Sequence, residues 1–168
     1  MQIFIVGFMG VGKTTIGRRL ARKLNMKFVD TDKLIIQKTG ETIDAIFKNR
    51  GEESFRKIEA DVLRSIDFAS AVIATGGGLP CYNNNMEYMN QHGLTVYLYA
   101  EKSFIFHRLK NAKKVRPLIK ELSQEQLKTF IEEKLNERHP IYKQSKLQLN
   151  LPIDNLESLV NREFAALL

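Results

Sequence analysis

QIFIVGFMGVGKTTIGRRL, residues 2–20, decides the fold. An apolar, β-branched run stops at Gly7, and the pattern G-x-x-x-x-G-K-S/T follows as GFMGVGKT, residues 7–14. Beyond it Ile16, Leu20 and Leu24 recur at four-residue spacing, which predicts a helix with one apolar face. Strand, glycine loop and helix in that order make a phosphate cradle. The glycines let successive backbone N–H groups turn inward on phosphate oxygens, and the helix dipole adds to the positive field. The pattern places nucleotide binding on Gly10, Val11, Gly12, Lys13, Thr14 and Thr15. Lys13 would reach the β- and γ-phosphates, and the Thr14 hydroxyl would bind Mg2+.

Outward from this loop, strands and helices alternate. Lys27–Asp30, Ala71–Ala74, Leu94–Tyr99 and Leu147–Leu151 read as further strands. Between them lie helical stretches at Lys33–Lys38, Thr42–Asn49, Asn83–Gln91 and Ser103–Asn111, and one marked by Phe55, Ile58, Val62 and Ile66. Ser123 with Gln126 resembles a capping box that opens a helix towards Glu137, and Asp154 with Glu157 caps a last one. Such alternation predicts an α/β fold, a three-layer α/β/α arrangement around a parallel sheet of about five strands. Ligands of such sheets bind beyond the carboxyl ends of the strands, so the loops after Val6, Val29 and Ala74 share one edge.

Composition bounds the rest. The 168 residues suit a single domain, and 43% hydrophobic with 27% charged residues is ordinary for a globule. The apolar runs are too short to span a bilayer, and MQIFIVGFMG lacks the basic start and cleavage site of a signal peptide. One cysteine, Cys81, permits no internal disulfide; a cytoplasmic location is expected. The net charge of +7 favours anionic ligands. Aromatic residues are not interleaved with that charge as nucleic-acid stacking would need, so neither nucleic acid nor a membrane is an expected partner.

Five other stretches bear on chemistry, each with a plainer alternative. FVDTD, residues 28–32, brings Asp30 towards a metal-bound water and Asp32 towards an alcohol acceptor, unless Thr31 or Asp32 merely caps the next helix. FRKIE, residues 55–59, sets Arg56 and Glu59 on one helix face, either as a surface ion pair or as an arginine held ready for an anion. AVIATGGGLP, residues 71–80, ends a strand in three glycines, a loose loop or a place where something must come close. RPLI, residues 116–119, puts Arg116 in a basic stretch that reads as a movable lid, about residues 111–123. ERHPIY, residues 137–142, puts Arg138 near a helix end, where a cation is favourable in any protein.

Together and in this order, GFMGVGKT, DTD, FRKIE, TGGG, RPLI and ERHPIY resemble the shikimate kinase family over residues 7–142. That resemblance implies a P-loop kinase with a mobile lid and a substrate-binding helical region at about residues 32–60. It implies a monomer that phosphorylates the 3-hydroxyl of shikimate with ATP and Mg2+. Asp32, Lys13 and Arg116 would be catalytic, and Thr14 and Asp30 would serve the metal. Arg56, Arg138, Gly77, Gly78 and Asp32 would hold shikimate, with Ile43, Phe47, Phe55, Pro117 and Leu118 as apolar walls. Arg108 would stack on adenine beside Arg116. A gluconate or nucleoside monophosphate kinase, and a non-catalytic nucleotide-dependent interaction protein, are the alternatives.

Overall fold

The apolar strand that leads into the phosphate loop becomes the centre of the sheet. The computed structural model describes residues 1–112, 119–153 and 155–164. β1 (Gln2–Val6) lies between β3 (Ala71–Ala74) and β4 (Gly93–Tyr99), with β2 (Lys27–Asp30) and β5 (Leu147–Asn150) at the edges. All four pairings are parallel. Ile3 to Val6 and Ala71 to Ala74 are buried without interruption, as a sheet covered on both faces requires. The period-two alternation divides them between layers. Ile3 and Ile5 join Leu20, Ile105 and Ile131 on one face; Phe4 and Val6 join Leu63, Met89 and Tyr142 on the other.

Seven helices cover the sheet among the described residues: α1 (Lys13–Lys23), α2 (Thr31–Thr39), α3 (Ile43–Arg64), α4 (Asn85–His92), α5 (Lys102–Lys110), α6 (Gln124–Tyr142) and α7 (Leu156–Glu163). The expected five-stranded, three-layer architecture is what the structure shows. Several boundaries differ for local reasons. α2 begins at Thr31, because Asp30 itself is the N-cap and its Oδ1 accepts the Lys33 N–H at 3.3 Å. α3 spans both helical stretches read around residues 42–66, broken at Gly51, whose φ of 76° suits glycine. α4 starts two residues late, since Asn83 and Asn84 both have positive φ. α6 opens on the expected Ser123–Gln126 capping box but runs past Glu137 to Tyr142. Pro140 stands in its last turn, where the lost N–H removes only one ladder bond. Asp154 lies outside the described residues; the Asn155 side chain accepts the Ser158 N–H at the start of α7. None of the described helices is long and apolar enough to cross a membrane.

Gly93 begins β4 in extended backbone, and a Cβ there would lie 2.3 Å from the Gln2 carbonyl oxygen. That oxygen belongs to the central strand and cannot swing aside. Gly93→Ala should cost about 1–3 kcal/mol through overpacking, lowering Tm by roughly 2–4 °C per kcal/mol. Calorimetry checks this, and an unchanged Tm contradicts it.

Candidate active site

The phosphate loop is built as its sequence requires. Gly10 and Gly12 have φ of 84° and 100°, a region that side-chain-bearing residues seldom enter, and Gly12 is the N-cap of α1. The Val11 side chain is buried in the core, so only its backbone can face a ligand, and Thr15 is exposed. Lys13 is nearly buried and donates to the Gly7 and Phe8 carbonyls at 2.7 and 2.9 Å, which holds its ammonium across the mouth of the loop. Arg108 on α5 reaches the same loop, its guanidinium 3.6–3.9 Å from where a Gly12 Cβ would be. It borders a cavity of about 600 Å3 that Gly10, Phe104, His107 and Asn111 also line.

The end of β2 meets this loop through one hydrogen bond. The Thr14 hydroxyl donates to Asp30 Oδ2 at 2.8 Å. The other Asp30 oxygen caps α2, so this carboxylate is fixed at both ends. Two residues on, Asp32 stands exposed in the first turn of α2. Thr31 between them is fully buried, and its hydroxyl accepts the Gly76 N–H at 2.9 Å.

The three glycines after β3 explain why these groups can converge. A Cβ on Gly76 would lie 2.8 Å from Asp32 Oδ1 and 3.0 Å from Glu59 Oε1. One on Gly78 would lie 2.6 Å from Arg56 Nη1. One on Gly77 would be 3.4 Å from the Met9 backbone nitrogen and 3.7 Å from Arg138 Nη1. A side chain here would therefore meet the site's own side chains before any ligand. The run is bare for space, since none of the three glycines has a positive φ.

Around it stand two arginines in different electrostatic settings. Arg56 pairs with Glu59 at 2.6 Å and Glu52 at 2.8 Å, and its guanidinium lies 4.2 Å from the centre of the Tyr82 ring. Phe47 and Phe55, expected as apolar walls, lie beside it with their rings tilted at 39° and 4.5 Å between centroids. Glu59 is buried, and burial pushes its carboxyl up to about 7. Arg56 and Arg138 oppose that rise, while Asp32 adds to it. Arg138 is also buried, and its Nε has no hydrogen-bond partner among the described residues.

The family model for shikimate kinase matches residues 9–162. The chain belongs to the shikimate kinase family. The shikimate kinase of Phocaeicola vulgatus is 39% identical over 173 residues, covering 96% of this chain and 99% of that one. A crystal structure of shikimate kinase from Bacteroides thetaiotaomicron superposes with a TM-score of 0.92 at 40% identity, covering 99% of this chain and 98% of the other. The shikimate kinase from Acinetobacter baumannii, solved in complex with shikimate, gives a TM-score of 0.86 at 34% identity and covers 98% of this chain and 91% of that one.

As a shikimate kinase the chain is an ATP-using phosphotransferase. Of the residues expected at its site, the structure gathers Asp32, Arg56 and Arg138 around Gly76–Gly78, next to the phosphate loop. Arg108 sits beside Gly12 of that loop, and Arg116, Pro117 and Leu118 lie outside the described residues. Three further groups carry no role in the sequence reading, Glu52, Tyr82 and Tyr142, and Thr31 enters it only as a candidate helix cap. Glu52 and Tyr142 stand four residues from Arg56 and Arg138, so helical spacing alone points to them. Thr31 and Tyr82 act through contacts between distant segments, which leave no local signal.

Glu59 carries a pH dependence. Its folded value of about 7 exceeds the ordinary 4.5, so the native state holds this proton more tightly than the unfolded chain. Its contribution to stability then declines as pH rises between those two values and is level above them. Glu59→Gln should abolish that slope. Tm measured across about pH 4.5–7.5 should show the wild type losing ground to the variant as pH rises; parallel curves would contradict the assignment.

Proposed function

We propose that this chain transfers the γ-phosphoryl group of ATP to the 3-hydroxyl of shikimate, giving shikimate 3-phosphate and ADP on the way to chorismate and the aromatic amino acids. The observation that carries this reading is the Arg138 guanidinium, buried between phosphate loop and acceptor cluster with Nε unpartnered. A buried cation in that position calls for an anion, and a carboxylate with two oxygens matches the guanidinium fork. Arg56, fixed by Glu59 and Glu52, supplies the second half of the clamp.

On the nucleotide side, Gly10 to Thr15 hold the phosphates, Lys13 releases its carbonyl partners to reach the β- and γ-oxygens, and Arg108 faces the adenine. Arg116 comes in from the lid to neutralise charge that develops during transfer. Thr14 and Asp30 present two hard oxygen donors 2.8 Å apart, and Mg2+ takes such a pair when phosphates and water complete its shell. When bound, the ion neutralises phosphate charge. Asp32, exposed towards the cleft and beside Gly76, accepts a hydrogen bond from the 3-hydroxyl and takes its proton as the new bond forms. Gly77 and Gly78 offer backbone N–H groups to the same ligand. The same proposal takes the chain to act as a monomer in the cytoplasm.

Coupled ADP release across shikimate, gluconate and nucleoside monophosphates tests the reading. Shikimate should raise the rate far above that with ATP alone, and the other acceptors should not. Asp32→Asn should retain ATP binding while turnover falls about a hundredfold or more. Near-normal turnover in that variant removes Asp32 from the mechanism.

A further inference from the structure

Tyr142 is fully buried, yet its hydroxyl serves the site. It donates to the Gly77 carbonyl at 2.5 Å, across 65 residues of sequence. It stands one turn from Arg138 on the same face of α6, and the two side chains converge on Gly77, where a Cβ would lie 3.7 Å from Arg138 Nη1. Its ring packs on Tyr97 of β4, 5.2 Å between centroids, and Tyr97 in turn bonds His139 on the same helix. Burial pushes the Tyr142 phenol above the ordinary tyrosine range, so the group stays a neutral donor at working pH.

The contrast with Arg56 gives this geometry its meaning. Arg56 is oriented by two carboxylates, which fix it and cancel much of its charge. None of the ion pairs among the described residues involves Arg138. A neutral hydroxyl can orient a guanidinium without compensating it. One tied to the Gly77 carbonyl also sets the height of that guanidinium above the glycine run. Pro140 leaves the last turn of α6 one backbone bond short, which makes the side-chain pin there matter more.

We propose that Tyr142 is a positioning residue for the acceptor. Its hydroxyl locks the end of α6 to Gly77 and orients Arg138 without a carboxylate bonded to it, so that the guanidinium donors meet the acceptor carboxylate. The inference rests on Arg138 binding that carboxylate. It gives Tyr142 no direct contact with substrate.

Shikimate affinity and steady-state constants for Tyr142→Phe, Arg138→Met and the double variant provide the test. Tyr142→Phe keeps the ring in the core and removes only the hydroxyl. It should weaken shikimate binding about tenfold and leave the ATP KM within about twofold. In the Arg138→Met background the same change should have little further effect, because the group it positions is gone. Should Tyr142→Phe act fully in that background, or shift both substrates alike, the hydroxyl has a general structural role and the inference falls. If Arg138→Met weakens shikimate binding and Tyr142→Phe does not, this inference alone fails. An unchanged shikimate affinity in Arg138→Met overturns the carboxylate reading and this inference with it.

Discussion

The closeness with which α2, α3, α6 and the phosphate loop approach the end of β3 is set by the absence of side chains on Gly76, Gly77 and Gly78. Carboxylates from α2 and α3 come within van der Waals range of the first, and an α3 guanidinium fills the space beside the third. The middle residue separates the phosphate loop from Arg138. The Thr31 hydroxyl accepts the Gly76 N–H and the Tyr142 hydroxyl donates to the Gly77 carbonyl, and the two bonds hold this backbone. Two ligands that must exchange a phosphoryl group have to share a few ångströms, and the glycine run is where the chain makes that possible.

Charge follows the same economy of space. Taking a guanidinium or a carboxylate out of water is costly, so buried charges are paired or serve a ligand. Arg56 and Glu59 solve the problem together, and the rise of Glu59 towards neutrality shows how incomplete the compensation is on the carboxylate side. Arg138 has a neutral hydroxyl one turn away, and the proposed acceptor carboxylate would supply its anion. The net charge of +7 is in keeping with a cleft that must collect two anions before it can act.

Much of this was legible in the residues themselves. The strand–loop–helix at residues 2–20 named both the fold and the nucleotide end of the site, because backbone geometry there depends on glycines at fixed spacing. The order of the remaining motifs pointed to Asp32, Arg56 and Arg138, all three of which the fold brings to one place. The purpose of the triple glycine was only half legible. Room was evidently needed, but what fills it, Asp32, Glu59 and Arg56, depends on how α2 and α3 pack. Asp30 as the cap of α2 was hidden for a similar reason: Thr31 and Asp32 are equally plausible caps until the turn is seen. Thr31 and Tyr142 bond to backbone 45 and 65 residues away, and no periodicity encodes that.

The most direct measurement on the central claim is the turnover of Gly76→Ala with saturating ATP and shikimate, alongside its Tm. One methyl group there displaces the Asp32 carboxylate and crowds Glu59 while leaving the phosphate loop alone. A folded variant that binds ATP normally and turns over at least about a hundredfold more slowly is the predicted result. Turnover close to that of the unmodified chain would mean that the approach of these groups at Gly76 does not govern the reaction.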